Sequence, residues 1–541
     1  MRIPRTVVLA TLAGALLSAA CVRAQSASSQ QPPASTPTFS INSTLVYLDV
    51  SVIDKQGRSV VSGLTQRDFH ITEDKQPQRI FSFEAPQLHR LKPYASEENP
   101  RGKVPVTIIV LDMLDSSFSN FAYLRWEARR FLMGKPALLA SPTELMVLGN
   151  ESLAMLQGYT RDRDDLVHAL DRLPAALPYK EMNGAFAWER FAQSIDALQQ
   201  IALQNKGVPG HKIVLWLGHG GPGVYLQNIN LTAKEQDMLR EYAHHTTNLL
   251  VDSRMSLYVI YPGLSVHGAD FSLSGEDSGI DLGDNDPFAG DINFGLFVNT
   301  TGGKLYYNRN DLDHLMNMAQ HLGSEYYTLT YQPSDAASDG GFRRIRVTVD
   351  NRDYRVVTKA GYYASDSTEQ MSSGSQRNLY DLTEAGIATM PFTALHLSLR
   401  SIVQHPDTHT VDMAVRLENR NIEWSATPDG KSQAKVIFGA FCSDSHGDIV
   451  ASNLHQFTFT TPLLDPSANL AMPPLLMTTT VHFPRKAQQL RIAVEGETGG
   501  RIGTLDLSRK AVEAAPSQPT PDKELEVRPA TAQPAPPAPG S

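Results

Sequence analysis

The chain is expected to fold as an α/β domain inserted in a β-sandwich and followed by a second, all-β sandwich. Three patterns predict this. Residues 104–322 alternate apolar strand runs with amphipathic helices, which signals a parallel sheet covered on both faces. On either side, residues 39–90 and 325–364 carry short strands of period two, each segment too small to stand comfortably as a β unit of its own. Residues 394–510 carry strands separated by turns, with no helical period.

The elements follow in chain order. Residues 1–24 read as a secretory signal: Arg2 and Arg5 give a positive start, Val7 to Ala20 an apolar stretch, and Val22-Arg23-Ala24 a small-x-small cleavage site. The apolar stretch is shorter than the roughly 18 residues a spanning helix needs, and nothing later is apolar for that long, so no transmembrane helix is expected in the mature chain. The second choice is a lipoprotein acylated at Cys21, since Leu17-Ser18-Ala19-Ala20-Cys21 resembles a lipobox with its leucine one position early. Residues 25–38, rich in Ser, Gln, Ala and Pro, form a disordered leader with too few apolar groups to bury.

In 39–90, Val46, Leu48, Val50 and Val52 alternate with Tyr47, Asp49 and Ser51, a strand with one apolar face. Ser59 to Val61 restarts it after a turn, and Phe69 to Glu73 and Ile80 to Phe83 add two more. Tyr326 to Tyr331, Ile345 to Val349 and Tyr354 to Thr358 supply three strands in 325–364, and the two segments are expected to close one sandwich around the insert. Within the insert, Val106 to Leu111, Leu145 to Leu148, Ile213 to Leu217 and Leu257 to Tyr261 are buried strands. Helices are expected over Phe118 to Met133 and near 163–172, 185–204, 231–250 and 311–322, an order that fits a doubly wound sheet. After a polar stretch from Ser365, about seven strands in 394–510 suggest an immunoglobulin-like sandwich. Residues 514–541, with prolines at 516, 519, 521, 529, 534, 536, 537 and 539, read as a Pro-rich disordered tail.

Lys and Arg number 48 against 57 Asp and Glu, a net charge of −9, with no long basic run, which excludes nucleic acid and anionic lipid as main partners. If Cys21 leaves with the signal, Cys442 alone remains and no internal disulfide can form, so stability must come from packed cores.

Three passages resemble the acidobacterial von Willebrand factor A-related domain family. The first is Val60-Val61-Ser62-Gly63-Leu64-Thr65-Gln66-Arg67-Asp68-Phe69, continuing through Glu73-Asp74-Lys75-Gln76-Pro77-Gln78 to Phe81 and Phe83. The second is Ile109-Val110-Leu111-Asp112-Met113-Leu114-Asp115-Ser116. The third runs from Thr300-Thr301-Gly302-Gly303 through Asn310-Asp311-Leu312, Tyr326-Tyr327 and Tyr331-Gln332-Pro333 to Lys359-Ala360-Gly361-Tyr362. The resemblance covers about residues 40 to 365 and implies that the α/β insert is a von Willebrand factor A-like doubly wound domain, a fold used mainly in adhesion and protein assembly.

Such domains often hold their ligand through a divalent ion, bound by an Asp-x-Ser-x-Ser loop after the first strand, a Thr from a second loop and an Asp after the fourth strand. Those are the hard oxygen donors that Mg²⁺ prefers. Here Asp112 and Ser116 keep the ends of the first motif while Leu114 replaces its middle Ser. A second register, Asp115, Ser117 and Ser119, matches in full but lies further out. Ala185 stands where the Thr hydroxyl would be, and Leu217-Gly218-His219-Gly220-Gly221 puts His219 where the second Asp would be. Too few oxygens then remain to offset dehydration, so the ion site is expected to be degenerate, with neither Mg nor Ca bound, and Asp112 to cap backbone amides.

His219-Gly220-Gly221 also resembles a lipase oxyanion element, yet no Gly-x-Ser-x-Gly elbow follows it. Glu276, Asp277, Asp281, Asp284, Asp286 and Asp291 crowd a Gly-rich loop without EF-hand order, and read as a solvated acidic loop. His244, His245, His314 and His321 lack ligands at metal spacing and read as packing or surface residues.

The chain is therefore expected to be an exported protein (periplasmic, outer-surface or secreted) that does no catalysis, needs no cofactor and binds an unidentified protein or cell-surface ligand. Leu114, Ser116, Ala185, His219, Gly220 and Tyr225, on loops at the strand C-termini, are the candidate contacts. A cell-envelope assembly or scaffold factor is the alternative, and a hydrolase the remote one.

Overall fold

The computed structural model describes residues 45–55, 60–90, 104–114, 116–150, 152–173, 187–221, 223–225, 231–262, 286–335, 339–364, 374–462, 473–515 and 531–533. The expected signal at 1–24 and leader at 25–38 lie outside them, as does most of the acidic loop. Among the described residues, no helix is long and apolar enough to cross a membrane.

The strands before and after the insert interleave in two four-stranded sheets. One runs Tyr354–Val357, Val46–Asp54, Tyr327–Tyr331, Ile80–Glu84. The other runs Gly361–Tyr363, Phe342–Val349, Phe69–Glu73, Gln76–Gln78. All pairs are antiparallel, with Leu48 opposite Leu329 and Ile71 opposite Val347. The period-two faces explain the layering: Val46, Leu48, Val50, Phe69, Ile71, Leu329, Tyr331, Ile345 and Val347 all bury in one core between the sheets. Gln76–Gln78 gave no strand signal, being polar and proline-containing, and it sits at a sheet edge where proline is tolerated.

In the insert, six strands lie in the order Leu305–Tyr307, Met255–Tyr261, Lys212–Leu217, Val106–Asp112, Leu138–Leu148, Leu153–Asp162. The first five pair in parallel, but Leu153–Asp162 is antiparallel to its neighbour, which corrects the expectation of a wholly parallel sheet. Its residues are nearly all half-buried, as suits an edge strand, and so give no continuous apolar run. Ile108, Val110, Val214 and Trp216 face helices Ala187–Asn205, Ala233–Asp252 and Phe294–Thr300. The alternate residues Ile109, Leu111, Leu215 and Leu217 face helices Phe118–Met133, Arg163–Asp171 and Leu312–Ser324.

The polar stretch after Ser365 contains helix Gly374–Ile387. Its Leu382 and Ala385 join Met390, Phe392, Phe441, Ala493 and Ile502 in the same apolar cluster as Ile108 and Trp216, so the insert and the C-terminal β unit share a core. Lys206, largely buried, bridges that seam to the fully buried carboxylates of Asp381 and Glu495, the latter at 3.2 Å. The C-terminal unit packs a three-stranded sheet (Leu397–His405, Thr410–Leu417, Leu475–His482) against a larger antiparallel one built on the long hairpin Lys431–Ser443 and Ile449–Pro462. Helix Arg509–Glu513 ends just before the Pro-rich tail, and within the tail Thr531–Gln533 pairs with Gln456 to Thr458 while the rest lies outside the described residues.

A buried polar joint also ties the first sandwich to the insert. Asp49 accepts from two of the three guanidinium nitrogens of Arg254 (Nε at 3.0 Å, and Nη2), pairs with His211 at 3.1 Å and accepts from Thr328 at 3.0 Å. Burial alone would raise its pKa, but Arg254 and His211 outweigh that and hold it well below the carboxylate range. Gly302 and Gly303 complete the joint where helix Phe294–Thr300 ends. A Cβ on Gly303 would lie 1.7 Å from the Leu257 carbonyl oxygen, and one on Gly302, at φ 76°, would lie 2.5 Å from the Thr358 backbone.

Candidate functional site

The C-terminal edge of the insert's sheet is built on strands Val106–Asp112 and Lys212–Leu217, which end side by side. Asp112 is fully buried. One carboxylate oxygen accepts the Leu114 N–H at 2.9 Å; the other accepts the Trp216 indole N–H at 3.0 Å and the Gly220 N–H at 3.2 Å. Gly218 permits this approach, since a Cβ there would lie 2.2 Å from Asp112 Cβ. Three N–H donors thus converge where a cation would have to sit, and a cation is repelled by the same positive ends that stabilise the carboxylate.

Ser116 is also fully buried, and its Oγ has no hydrogen-bond partner among the described residues. Ser117 and Ser119 serve the following helix instead: Ser117 Oγ caps it by accepting the Asn120 N–H at 3.2 Å and lies 3.1 Å from Ser119 Oγ. Asp115 and Ala185 lie outside the described residues. His219 is 8% exposed, its ring edge-on to Tyr261 at 5.5 Å and tilted against Tyr307 at 5.7 Å, while its carbonyl accepts from the Tyr307 hydroxyl at 3.1 Å.

The expected contact set therefore needs correction. Leu114, Ser116, His219 and Gly220 are all buried and cannot meet a partner without the edge opening. Tyr225 is described only by its backbone, which pairs with Asp291 in a two-stranded ribbon. The local reason is that Asp112 folds its own loop and the Gly218–Gly221 turn inward to satisfy itself.

What does face solvent at this edge is the next helix. Phe118, Trp126 and Met133 are 49%, 53% and 46% exposed. At about 100° per residue they fall, with Ala122 and Arg129, within about 80° of one another along the full length of Phe118–Met133. The opposite face, with Phe121, Leu124, Ala128, Phe131 and Leu132, is the one that packs on the sheet. Tyr123 stacks on Trp126 at 5.9 Å and the Arg130 guanidinium lies 5.4 Å from the same ring, so the indole is held in place. In the sequence the stripe is carried by only three residues at spacings of eight and seven, and the denser inward period of the same helix masks it.

Two other expectations meet the structure differently. Among the described residues no group of three or more His, Cys, Asp or Glu could hold a metal. His244, though, does have a carboxylate partner: Asp286 lies at 2.9 Å and also accepts from the Tyr363 hydroxyl at 2.5 Å. Burial pushes the Asp286 carboxyl up, but His244 and Tyr363 outweigh it and keep it low. That contact spans 42 residues, beyond the reach of spacing rules.

No family model matches the chain, and no curated protein matches it. Three solved structures to which it is similar are proximal thread matrix protein 1 from the mussel byssus, the SpRpn10 VWA domain, and the pilus adhesin SpaC from Lactobacillus rhamnosus GG. The mussel protein is 11% identical over 29% of this chain and 38% of its own, with a TM-score of 0.20. The SpRpn10 domain is 16% identical over 29% and 74%, at 0.19. SpaC is 8% identical over 78% and 58%, at 0.25. This chain thus spans well under half the length of the mussel protein, and likenesses at this level carry no argument about it.

Proposed function

We propose that the chain is an exported, non-catalytic protein that binds a protein or cell-surface partner through the insert, without a bridging ion or cofactor. The observation that carries this reading is the exposed stripe Phe118, Trp126 and Met133, which starts at the sheet edge and runs down one helix. Large aromatic side chains held rigid at a surface supply contact area at low entropic cost, and such groupings mark interaction sites on soluble proteins. The spent carboxylate of Asp112 supports metal independence, and the charge pattern and apolar run of residues 1–24 support export.

The scaffold reading is favoured by one observation, the burial of Leu114, Ser116, His219 and Gly220, which packs these residues of the edge internally. Affinity capture of envelope proteins by the mature chain, run with and without EDTA and repeated with a Phe118→Ser/Trp126→Ser/Met133→Ser variant, separates the two. Binding that persists in EDTA and disappears in the triple variant is the expected result. Loss in EDTA alone overturns metal independence, and a wild-type chain that captures nothing leaves the scaffold.

A further inference from the structure

We propose that the open corner of the first sandwich is a second docking site, which takes an extended acidic peptide segment of a protein partner. The corner is a groove of about 970 Å³ whose lining includes Thr65, Gln66, Arg67, His70, Arg79 and Phe81. It lies on the β-rich unit rather than on the insert's sheet edge, and so stands independently of the function proposed above.

Three features converge there. The first is a free strand edge. Ile80–Glu84 is the last strand of its sheet, paired on one side with Tyr327–Tyr331, and among the described residues no strand covers its other side. Apart from the Ile80 carbonyl, which accepts from the Gln66 side-chain amide at 3.2 Å, such an edge offers backbone donors and acceptors at strand spacing to an incoming extended chain.

The second is a bulge. Ser82 opposes Thr330 and Ile80 opposes Tyr331, so Phe81 is the extra residue between two consecutive partners. A bulge re-aims the side chain it carries. Phe81 is turned outward and is 72% exposed, more than any other large apolar side chain of the described residues. Core packing does not explain a phenyl ring there, whereas an anchor for an added strand does.

The third is charge. Arg67 and Arg79 are exposed and have no ion-pair partner among the described residues. The neighbouring acids are turned to other tasks. Asp68 accepts the Thr65 N–H at 2.6 Å and its hydroxyl at 2.8 Å, Glu73 is buried and accepts from the Tyr331 and Tyr362 hydroxyls, and Asp350 pairs with His70 at 2.6 Å. Asp68 keeps its charge, but its carboxylate is turned onto Thr65, so the two exposed guanidiniums of Arg67 and Arg79 are the groups at this edge left to meet an incoming carboxylate. Guanidinium forks match carboxylates in a bidentate way, and an added strand presents alternate side chains to one face, so acids at every second position would meet Arg67 and Arg79.

The test uses the full chain and a fluorescein-labelled peptide of about ten residues alternating Glu and Val, against the same peptide with Lys for Glu. Fluorescence anisotropy is expected to show saturable, salt-sensitive binding of the Glu peptide and none of the Lys peptide. Arg67→Glu/Arg79→Glu should weaken it by about tenfold or more and Phe81→Ser by about fivefold, with unchanged melting curves because all three side chains are exposed. Hydrogen exchange on the complex should show new protection at the amides of 80–84. Equal binding by the double Arg variant, equal binding of the Lys peptide, or unprotected amides at 80–84 would each overturn the proposal, as would absence of binding at millimolar peptide. A sulfated polysaccharide that binds more tightly than the peptide, with the same loss in the double Arg variant, would reassign the spot to a glycan.

Discussion

Asp112 shows how one side chain can change the meaning of a motif. Its carboxylate takes three N–H donors, two from loop amides and one from the indole of strand residue Trp216, so its removal deprives all three at once. Asp112→Ala is expected to cost about 3 kcal/mol or more of stability in urea unfolding, while EDTA leaves the wild-type midpoint unmoved. A midpoint that falls in EDTA would show that an ion holds this edge after all. Lys206 is the second residue with leverage, because Asp381 and Glu495 are both fully buried around its ammonium. Lys206→Met removes the ammonium that bridges two buried carboxylates and is expected to cost about 3–5 kcal/mol by the same measurement. From sequence, Asp112 was legible because it directly follows the apolar run Val106 to Leu111. Its donors were not: Trp216 and Gly220 lie 104 and 108 residues away, and nothing local announces that they point at it.

The elements that sequence resolves best are those whose environment is uniform along their length. Helix Phe118–Met133 keeps a regular inward apolar period and central strand Lys212–Leu217 is buried throughout, so period and run length suffice. Strand Leu153–Asp162 and helix Gly374–Ile387 escaped because their contacts are partial or come from a distant part of the chain. That helix carries a pH dependence. Loss of water, and then repulsion from Asp196 and Asp381, pushes the Glu384 carboxyl up to about 8, and loss of water raises Asp196 to about 6. Both acids hold their protons more tightly folded than unfolded, so the folded state binds more protons between the two sets of pKa values and stability falls as pH rises. The contribution is intact below about pH 4 and is lost as pH climbs through about 6 and then about 8. Melting temperatures measured from pH 5 to 9 should fall on the alkaline side, and Glu384→Gln should flatten that slope. A slope unchanged in the variant would mean that Glu384 titrates normally.

Across the whole molecule, the β units do not hang from the insert as separate beads. The cluster containing Ile108 and Trp216 continues through Leu382 to Phe441 and Ile502, and Asp49 with Arg254 pins the first sandwich on another side. Calorimetry should therefore record one cooperative unfolding transition, and two well-separated peaks would show the shared core to be weaker than its packing implies. The interleaving of the first sandwich was readable from two half-sized sets of strands. The seam to the C-terminal unit was not, since a shared core leaves no period in either partner.

The same interleaving sets a timetable for the growing chain. Asp49 finds Thr328 only 279 residues later, and at about 5–20 residues per second a ribosome needs roughly 15–55 s to deliver it. Until then strand Val46–Asp54 has neither neighbour it is built to pair with, and its valines lie bare on one face. The first described strand to emerge thus waits longer for its partners than any other described strand, and the newborn chain depends for that interval on whatever keeps exposed strands apart in the compartment where it folds.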